Sequence, residues 1–304
     1  MIARAIVAHG TVWMAASLPV GFLLSGLAEL LRPALPLIAV AMLALSLARV
    51  EPLAVREAAR DWHGIAAMLA FALLVQPLAL ILVLTLAGAP EWLATGLVLA
   101  AAAPPPISAT AFAIMLGVDA ALVTAIAIPG TLAAPVTILF VTQFLPLGEA
   151  GADIAEPTLR IAAMIAAGTC GAVALRALFR AAPRTGRAAD PLMIVFVVAI
   201  GIAVMGEAGQ TIRAEPGTAL LLFGAVLALA TTLAASGFLV LRMMPGADPF
   251  IAALVAGNRN MALMLAATIG AVDPRSAMVV LMAQLPLFLS PFVLKRLNGR
   301  SRPA

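Results

Sequence analysis

The sequence predicts an all-α, polytopic membrane protein, with ten transmembrane helices arranged as two inverted five-helix repeats. Three observations carry that expectation: a composition too apolar for water, a one-sided distribution of arginines, and two helix breaks half a chain apart. Of 304 residues, 64% are hydrophobic and 11% charged, and the mean hydropathy is +1.13. Soluble domains carry about a quarter charged residues, so this chain lacks the polar surface to cover itself in water. A bilayer is the solvent that such a composition fits.

Apolar runs long enough to approach a membrane crossing lie at about 11–30, 34–48, 64–88, 91–117, 119–145, 158–180, 190–208, 217–241, 249–271 and 274–294. The first follows Arg4, has no A-x-A cleavage site and is followed at once by another span. It is therefore read as helix one and not as a signal peptide. The second is short and needs flanking residues to reach both interfaces. The linkers at about 146–157 and 181–189 are too short to fold alone, so residues 1–304 read as one transmembrane domain.

Basic residues give an independent check on the count. Seventeen of the 18 are arginines. With ten spans, one membrane face collects Arg4, Arg49, Arg56, Arg60, Arg176, Arg180, Arg184, Arg187, Arg242, Lys295, Arg296, Arg300 and Arg302, and the other only Arg32, Arg160, Arg213 and Arg275. The positive-inside rule then places both termini in the cytoplasm of a bacterial inner membrane. The pI near 10.9 reflects these short clusters, and no long basic patch suggests a nucleic-acid partner.

The halves resemble one another. Leu116-Gly117-Val118-Asp119 joins spans four and five, and Gly270-Ala271-Val272-Asp273 joins spans nine and ten, an offset of 154 residues. The repeats run from about 1 to 146 and from about 157 to 304. Five spans per repeat is an odd number, so the second repeat is inverted, a common plan among secondary transporters. The same offset carries Pro104-Pro105-Pro106 onto Asn258-Arg259-Asn260, which follow Gly257. Three consecutive prolines remove three amide donors and break span four. A glycine, two asparagines and an arginine suit an unwound crossing in span nine. Breaks at matching positions of two halves point to a transporter's central site.

Pro104–Pro106 with Ser108, followed by Gly117 and span five, resembles the broken fourth helix of the bile acid:sodium symporter family. Gly257-Asn258-Arg259-Asn260-Met261-Ala262-Leu263 resembles that family's broken ninth helix. The ten-span plan extends the resemblance over essentially the whole chain. It implies a core of helices 3–5 and 8–10, a panel of helices 1–2 and 6–7, a crossover where helices 4 and 9 meet, and carriage of organic anions, often with sodium. It also implies sodium ligands at Gln76, Ser108 and Thr124, and Asn260 matches a recurrent asparagine. The chain departs from the family at Ala109, where an asparagine is expected, at Val255, where an acid is expected, and at Arg259, where a glutamine is expected. A guanidinium repels sodium at close range, so the usual sodium sites are expected to be broken.

A buried arginine at the bilayer centre costs about 2.5–3.5 kcal/mol on insertion scales and needs a partner or a cavity. Three roles stay open for Arg259. It could grip a substrate carboxylate through its planar fork. Its charge could stand in for the missing cation and brace the crossover. It could also pair with protein carbonyls or an acid and never meet substrate. Arg259, Asn258, Asn260, Ser108 and Thr110 are the expected substrate-binding residues, and Pro104, Pro105, Pro106 and Gly257 form the breaks.

Other polar residues have simpler readings. Asp119 and Asp273 are read as helix N-caps, with Pro274 at the first helical position. Glu207 is read as interfacial, with a proton relay as the alternative. His63 belongs to the Arg60-Asp61-Trp62-His63 turn, and Trp13, Trp62 and Trp92 are belt residues. Cys170, between Thr169 and Gly171, suggests a small-residue helix contact, and the fourteen methionines read as adaptable packing. The chain has no Walker loop, HExxH helix or nucleophile elbow, which argues against an enzyme. The reading is a secondary active or facilitative carrier of a small or amphipathic organic anion, with no cofactor and no sodium. A sodium-coupled symporter, a metalloid exporter and a non-transporting sensor are the alternatives. An exporter of metalloids is expected to offer a thiolate near the crossover, and Cys170 is remote from it in sequence.

Overall fold

The computed structural model describes residues 10–106, 109, 113, 119–145, 155–182, 186, 188–242, 249–268 and 270–288. Among these residues all regular structure is helical. Seven helices are long and apolar enough to cross a membrane: Ser25–Ala48, Trp62–Leu86, Ala120–Thr142, Ala155–Ala181, Pro191–Ala214, Pro216–Val240 and Pro249–Thr268. Three shorter apolar helices are Val12–Leu23, Glu91–Ala102 and Pro274–Phe288. The chain is a multi-pass α-helical membrane protein. Large apolar side chains point outward along the long helices, as at Leu37, Leu86 and Leu159, each more than 70% exposed, which suits lipid contact.

Threonines within the helices bond to their own backbone. Thr142 Oγ1 donates to Ile138 O at 2.8 Å, Thr169 Oγ1 to Ile165 O at 2.8 Å and Thr268 Oγ1 to Met264 O at 2.9 Å. Each hydroxyl is satisfied one turn back, so it needs no water.

The chain divides into two compact units. The first lies within Met1–Arg49 and Ala163–Phe223. Its helices approach through small residues: a Cβ on Gly21 would stand 2.4 Å from Ile202 O, one on Gly206 2.4 Å from Ala28 Cβ, and one on Gly168 2.6 Å from Leu43 Cδ2. Such close packing replaces the hydrophobic effect, which lipid does not supply. Cys170 itself is exposed, so Gly168 and Gly171 make this contact and the thiol does not. Arg176 donates to Leu47 O at 2.9 Å and to Ala48 O at 3.4 Å, satisfying carbonyls that the ending helix leaves free. Glu207 pairs with Arg32 at 3.1 Å, and Arg213 lies over the Phe22 ring, 4.9 Å from its centroid.

The predicted gap between the first two spans is absent. Helix Gly10–Leu23, which contains Pro19, changes direction at Leu24, where φ is −107° and ψ 63°. The helical backbone then runs from Ser25 through a 3-10 turn at Arg32–Ala34 to Ala48. Pro33 falls at the first positions of that turn, where its missing N–H is tolerated. The helix thus continues through residues 31–33, where the two spans were expected to part. The span placed at 190–208 also runs further, to Ala214.

The second unit lies within Val50–Ala162 and Gly224–Ala304. Its centre is alanine-rich: Ala100, Ala101, Ala102 and Ala103 are completely buried. Helix Glu91–Ala102 packs on Pro274–Met282 through Gly96, where a Cβ would lie 2.5 Å from Val279 Cβ. Ser276 Oγ ties the pair by donating to Trp92 O at 2.9 Å. Asp119 Oδ1 caps Ala120–Thr142 by accepting from Ala121 N and Leu122 N at 2.8 and 3.0 Å. Asp273 Oδ1 does the same for Arg275 N at 2.8 Å and Ser276 N at 3.4 Å, with Pro274 opening the helix. Both aspartates are N-caps, as their sequence context predicts.

Gly237 brings helix Pro216–Arg242 against Pro249–Gly257, and an added Cβ would meet Ala256 Cβ at 2.6 Å and Ala252 O at 2.8 Å. The backbone oxygen cannot rotate away. Gly237→Val is therefore expected to destabilise the protein by about 1–3 kcal/mol, read as a lowered Tm of the detergent-solubilised protein, whereas Gly217→Val, with open space around it, should leave Tm nearly unchanged.

Candidate functional site: a buried guanidinium between two helix breaks

Three interruptions of helix converge in the second unit, and each follows from local chemistry. The first is in helix Trp62–Leu86, which widens to a π turn at Phe71–Val75. There Gln76 N donates five residues back, to Phe71 O. The next bond in that register would run from residue 77 to Ala72 O, but residue 77 is proline and has no N–H. Ala72 O is left without its helical donor. π turns of this kind are common at functional sites.

The second interruption follows helix Glu91–Ala102. Pro104, Pro105 and Pro106 remove the amides that would have continued it. Three carbonyls at the break take a donor of their own: Ala103 O from Arg259 Nη1 at 3.3 Å, Pro104 O from Asn260 N at 2.7 Å and Pro106 O from Ala109 N at 2.9 Å. Pro105 O, 3.4 Å from Thr131 Oγ1, shares a hydroxyl that bonds more closely to Ala127 O at 2.8 Å. The third interruption is Asn258–Asn260, between helices Pro249–Gly257 and Met261–Thr268. The structure thus brings Pro104 and Asn260 into direct contact, backbone to backbone.

Arg259 occupies the meeting point and is 3% exposed. Besides Ala103 O, its guanidinium donates through Nη2 to Ala72 O at 2.9 Å and to Gln76 Oε1 at 2.5 Å. Gln76 is held from its other side, where Nε2 donates to Leu233 O and Ser236 Oγ, both at 2.8 Å. A guanidinium offers only donors, so the amide must turn its oxygen toward it. These partners are all neutral. Arg259 Nε is buried without a partner among the described residues.

The remaining predicted residues divide. Asn260 Oδ1 accepts from Leu263 N at 3.2 Å and so caps Met261–Thr268. Asn258, 1% exposed, folds its Nδ2 back onto Leu254 O at 3.0 Å. Gly257 permits a close crossing, since a Cβ there would stand 2.6 Å from Ala234 Cβ. Thr124 Oγ1 donates to Ala120 O at 2.7 Å, and Val255 is completely buried. Ser108 and Thr110 lie outside the described residues. Residues that the sequence reading passed over are Ala72, Leu233 and Ser236. Pro77, after a glutamine in an apolar run, was the available signal for the first.

A cavity of about 20 Å³ adjoins the crossing, lined by Arg259, Gly257, Leu229, Leu233, Met261 and Pro286 among others. It has room for a water molecule and for nothing larger. Its walls are apolar apart from the arginine, so an occupant would meet one positive group within a greasy surround. No family model matches the chain, and no curated protein matches it.

Removing the acceptor that orients the guanidinium should cost more than a typical hydrogen bond, because the donor left behind is charged and buried. Gln76→Leu is expected to lower stability by about 2–3 kcal/mol, seen as a fall in Tm. Thr142→Val, whose described hydrogen bonds stay within its own helix, should cost less than about 1 kcal/mol.

Proposed function

We propose that the chain is a secondary carrier for a small or amphipathic organic anion, working by alternating access in a bacterial inner membrane and without sodium at the positions its resemblance suggests. The observation that carries this reading is the pairing of two broken helices around a buried cation whose described partners are all neutral. Broken helices are tolerated at membrane depth where they line a cavity or are buried in protein, and they mark central sites in carriers. The charge has no acidic partner among its described hydrogen bonds, which favours an anion at the crossing.

Further observations support the same reading. Asp119 and Asp273, at the repeat offset, cap their helices in the same manner, which favours ten spans in two inverted repeats. The division into compact units, although its boundaries fall inside helices Ala155–Ala181 and Pro216–Arg242, favours a panel of helices 1–2 and 6–7 and a core of helices 3–5 and 8–10. On the arginine distribution, both termini are cytoplasmic. Arg259 donates to Gln76 Oε1, an oxygen that the resemblance assigns to sodium, and this favours a sodium-independent cycle. The described cavity beside Arg259 holds no more than a water molecule, so an anion would enter there through a conformation with a wider cavity.

Reconstitution into proteoliposomes tests the proposal. Uptake from a panel of radiolabelled monocarboxylates and amphipathic anions should proceed equally in sodium and in choline buffers. Strict sodium dependence would overturn the sodium-independent reading, and absence of uptake or binding across the panel would favour a non-transporting sensor. Arg259→Ala should lose uptake by at least tenfold, equivalent to about 1.4 kcal/mol, while Arg259→Lys should retain a measurable fraction.

A further inference from the structure

The oxygens around Arg259 form a cation site in their own right. Ala72 O is free because Pro77 cannot donate to it. Ala103 O stands where the proline run ends a helix. Gln76 Oε1 is aimed by the two bonds that its Nε2 makes to Leu233 and Ser236. The Gln76 anchors, the missing Pro77 amide and the Pro104–Pro106 break do not involve the guanidinium. Two backbone carbonyls and an amide oxygen are hard neutral ligands, the kind that replaces the hydration shell of a monovalent cation in a protein.

We propose that Ala72 O, Ala103 O and Gln76 Oε1 are a monovalent-cation cage which the chain fills with its own arginine, and that the cage binds a free guanidinium ion once that side chain is removed. Arg259 is then a built-in cation that holds three chain segments together: the π turn, the proline break and the Asn258–Asn260 crossing. In a cage of neutral oxygens a single charge is balanced by dipoles. A divalent ion would lack the carboxylates it needs. The proposal concerns what holds the crossing together and stands whether or not the chain transports anions.

Full-length Arg259→Ala, purified in detergent, tests it. Its Tm is followed while guanidinium chloride is raised to about 10 mM, far below the molar range in which it denatures proteins, with tetramethylammonium chloride as the ionic-strength control. A saturable rise of roughly 5 °C is expected. It should be absent from the wild-type chain, whose cage is full, and lost when Gln76→Leu is added. No rise, an equal rise in the wild-type chain, or a rise that survives Gln76→Leu overturns the proposal. If Arg259→Ala yields no folded protein, Arg259→Lys and Arg259→Met decide. The ammonium should preserve folded yield and Tm where the uncharged thioether of similar length does not, and equal behaviour of the two overturns the cage. Because the readout is stability, failure of anion uptake leaves this result untouched, and failure here leaves the uptake result to stand alone.

Discussion

A backbone carbonyl in apolar surroundings must find a donor, and the second unit is organised by that requirement. Pro77 withdraws the amide that Ala72 O would have met, and the Pro104–Pro106 run stops helix Glu91–Ala102, so the carbonyls of Ala103, Pro104 and Pro105 take no donor from that helix. The orphaned oxygens could not remain so in the middle of an alanine-rich core. Arg259 supplies two of the missing donors, Asn260 N supplies a third and the shared Thr131 hydroxyl a fourth. Each of these donors comes from another element. The prolines therefore act at a distance: what they remove locally, they oblige the fold to restore through tertiary contact. Gln76 serves the same end by joining the π turn to Leu233 and Ser236 while turning its oxygen to the arginine.

The parts of this arrangement that were legible in the sequence are those with local causes. Three adjacent prolines end a helix wherever they stand, and an aspartate before a run of helix formers caps it. Asp119, Asp273 and the breaks at 104–106 and 258–260 were readable for that reason. The chain's membrane class was readable because composition dictates its solvent. Less visible were features that depend on partners. A lone proline such as Pro77 fits a first helical turn, a kink or a π turn, and only the arginine across the core accounts for the outcome here. The gap expected at 31–33 is bridged by a continuous helical run, because a 3-10 turn accommodates Pro33. The neighbours of Arg259 could not be named from spacing, since Ala72 and Ala103 contribute carbonyls that every residue possesses. The small-residue contact around Cys170 was readable too: Gly168 and Gly171 make it, against Leu43 and Ala44, while the thiol is exposed.

Packing within each unit follows from the same solvent. Gly21 against Ile202 and Gly237 against Ala252 bring helices to backbone contact, and Gly168 seats the Leu43 side chain. With lipid outside, apolar burial gives little advantage to one helix contact over another, and close approach of surfaces takes its place. Threonine hydroxyls turned back onto their own helices keep polar atoms out of the lipid-facing and interhelical surfaces. The interior is left with few unsatisfied groups, which makes the buried Nε of Arg259 and the buried Nε2 of Gln284 conspicuous.

A covalently attached cation differs from a bound one in a respect that concerns the membrane's electric field. A dissociable ion leaves with its gradient, but the guanidinium of Arg259 stays with the chain. If the crossing lies within the bilayer, as its apolar helices imply, a displacement that carries it along the membrane normal moves a fixed charge through the transmembrane voltage. A full traverse at 100 mV amounts to about 2.3 kcal/mol per elementary charge, and a partial one to the corresponding fraction. In such a displacement the arginine that closes the backbone's hydrogen bonding would also couple the unit that holds it to the membrane potential.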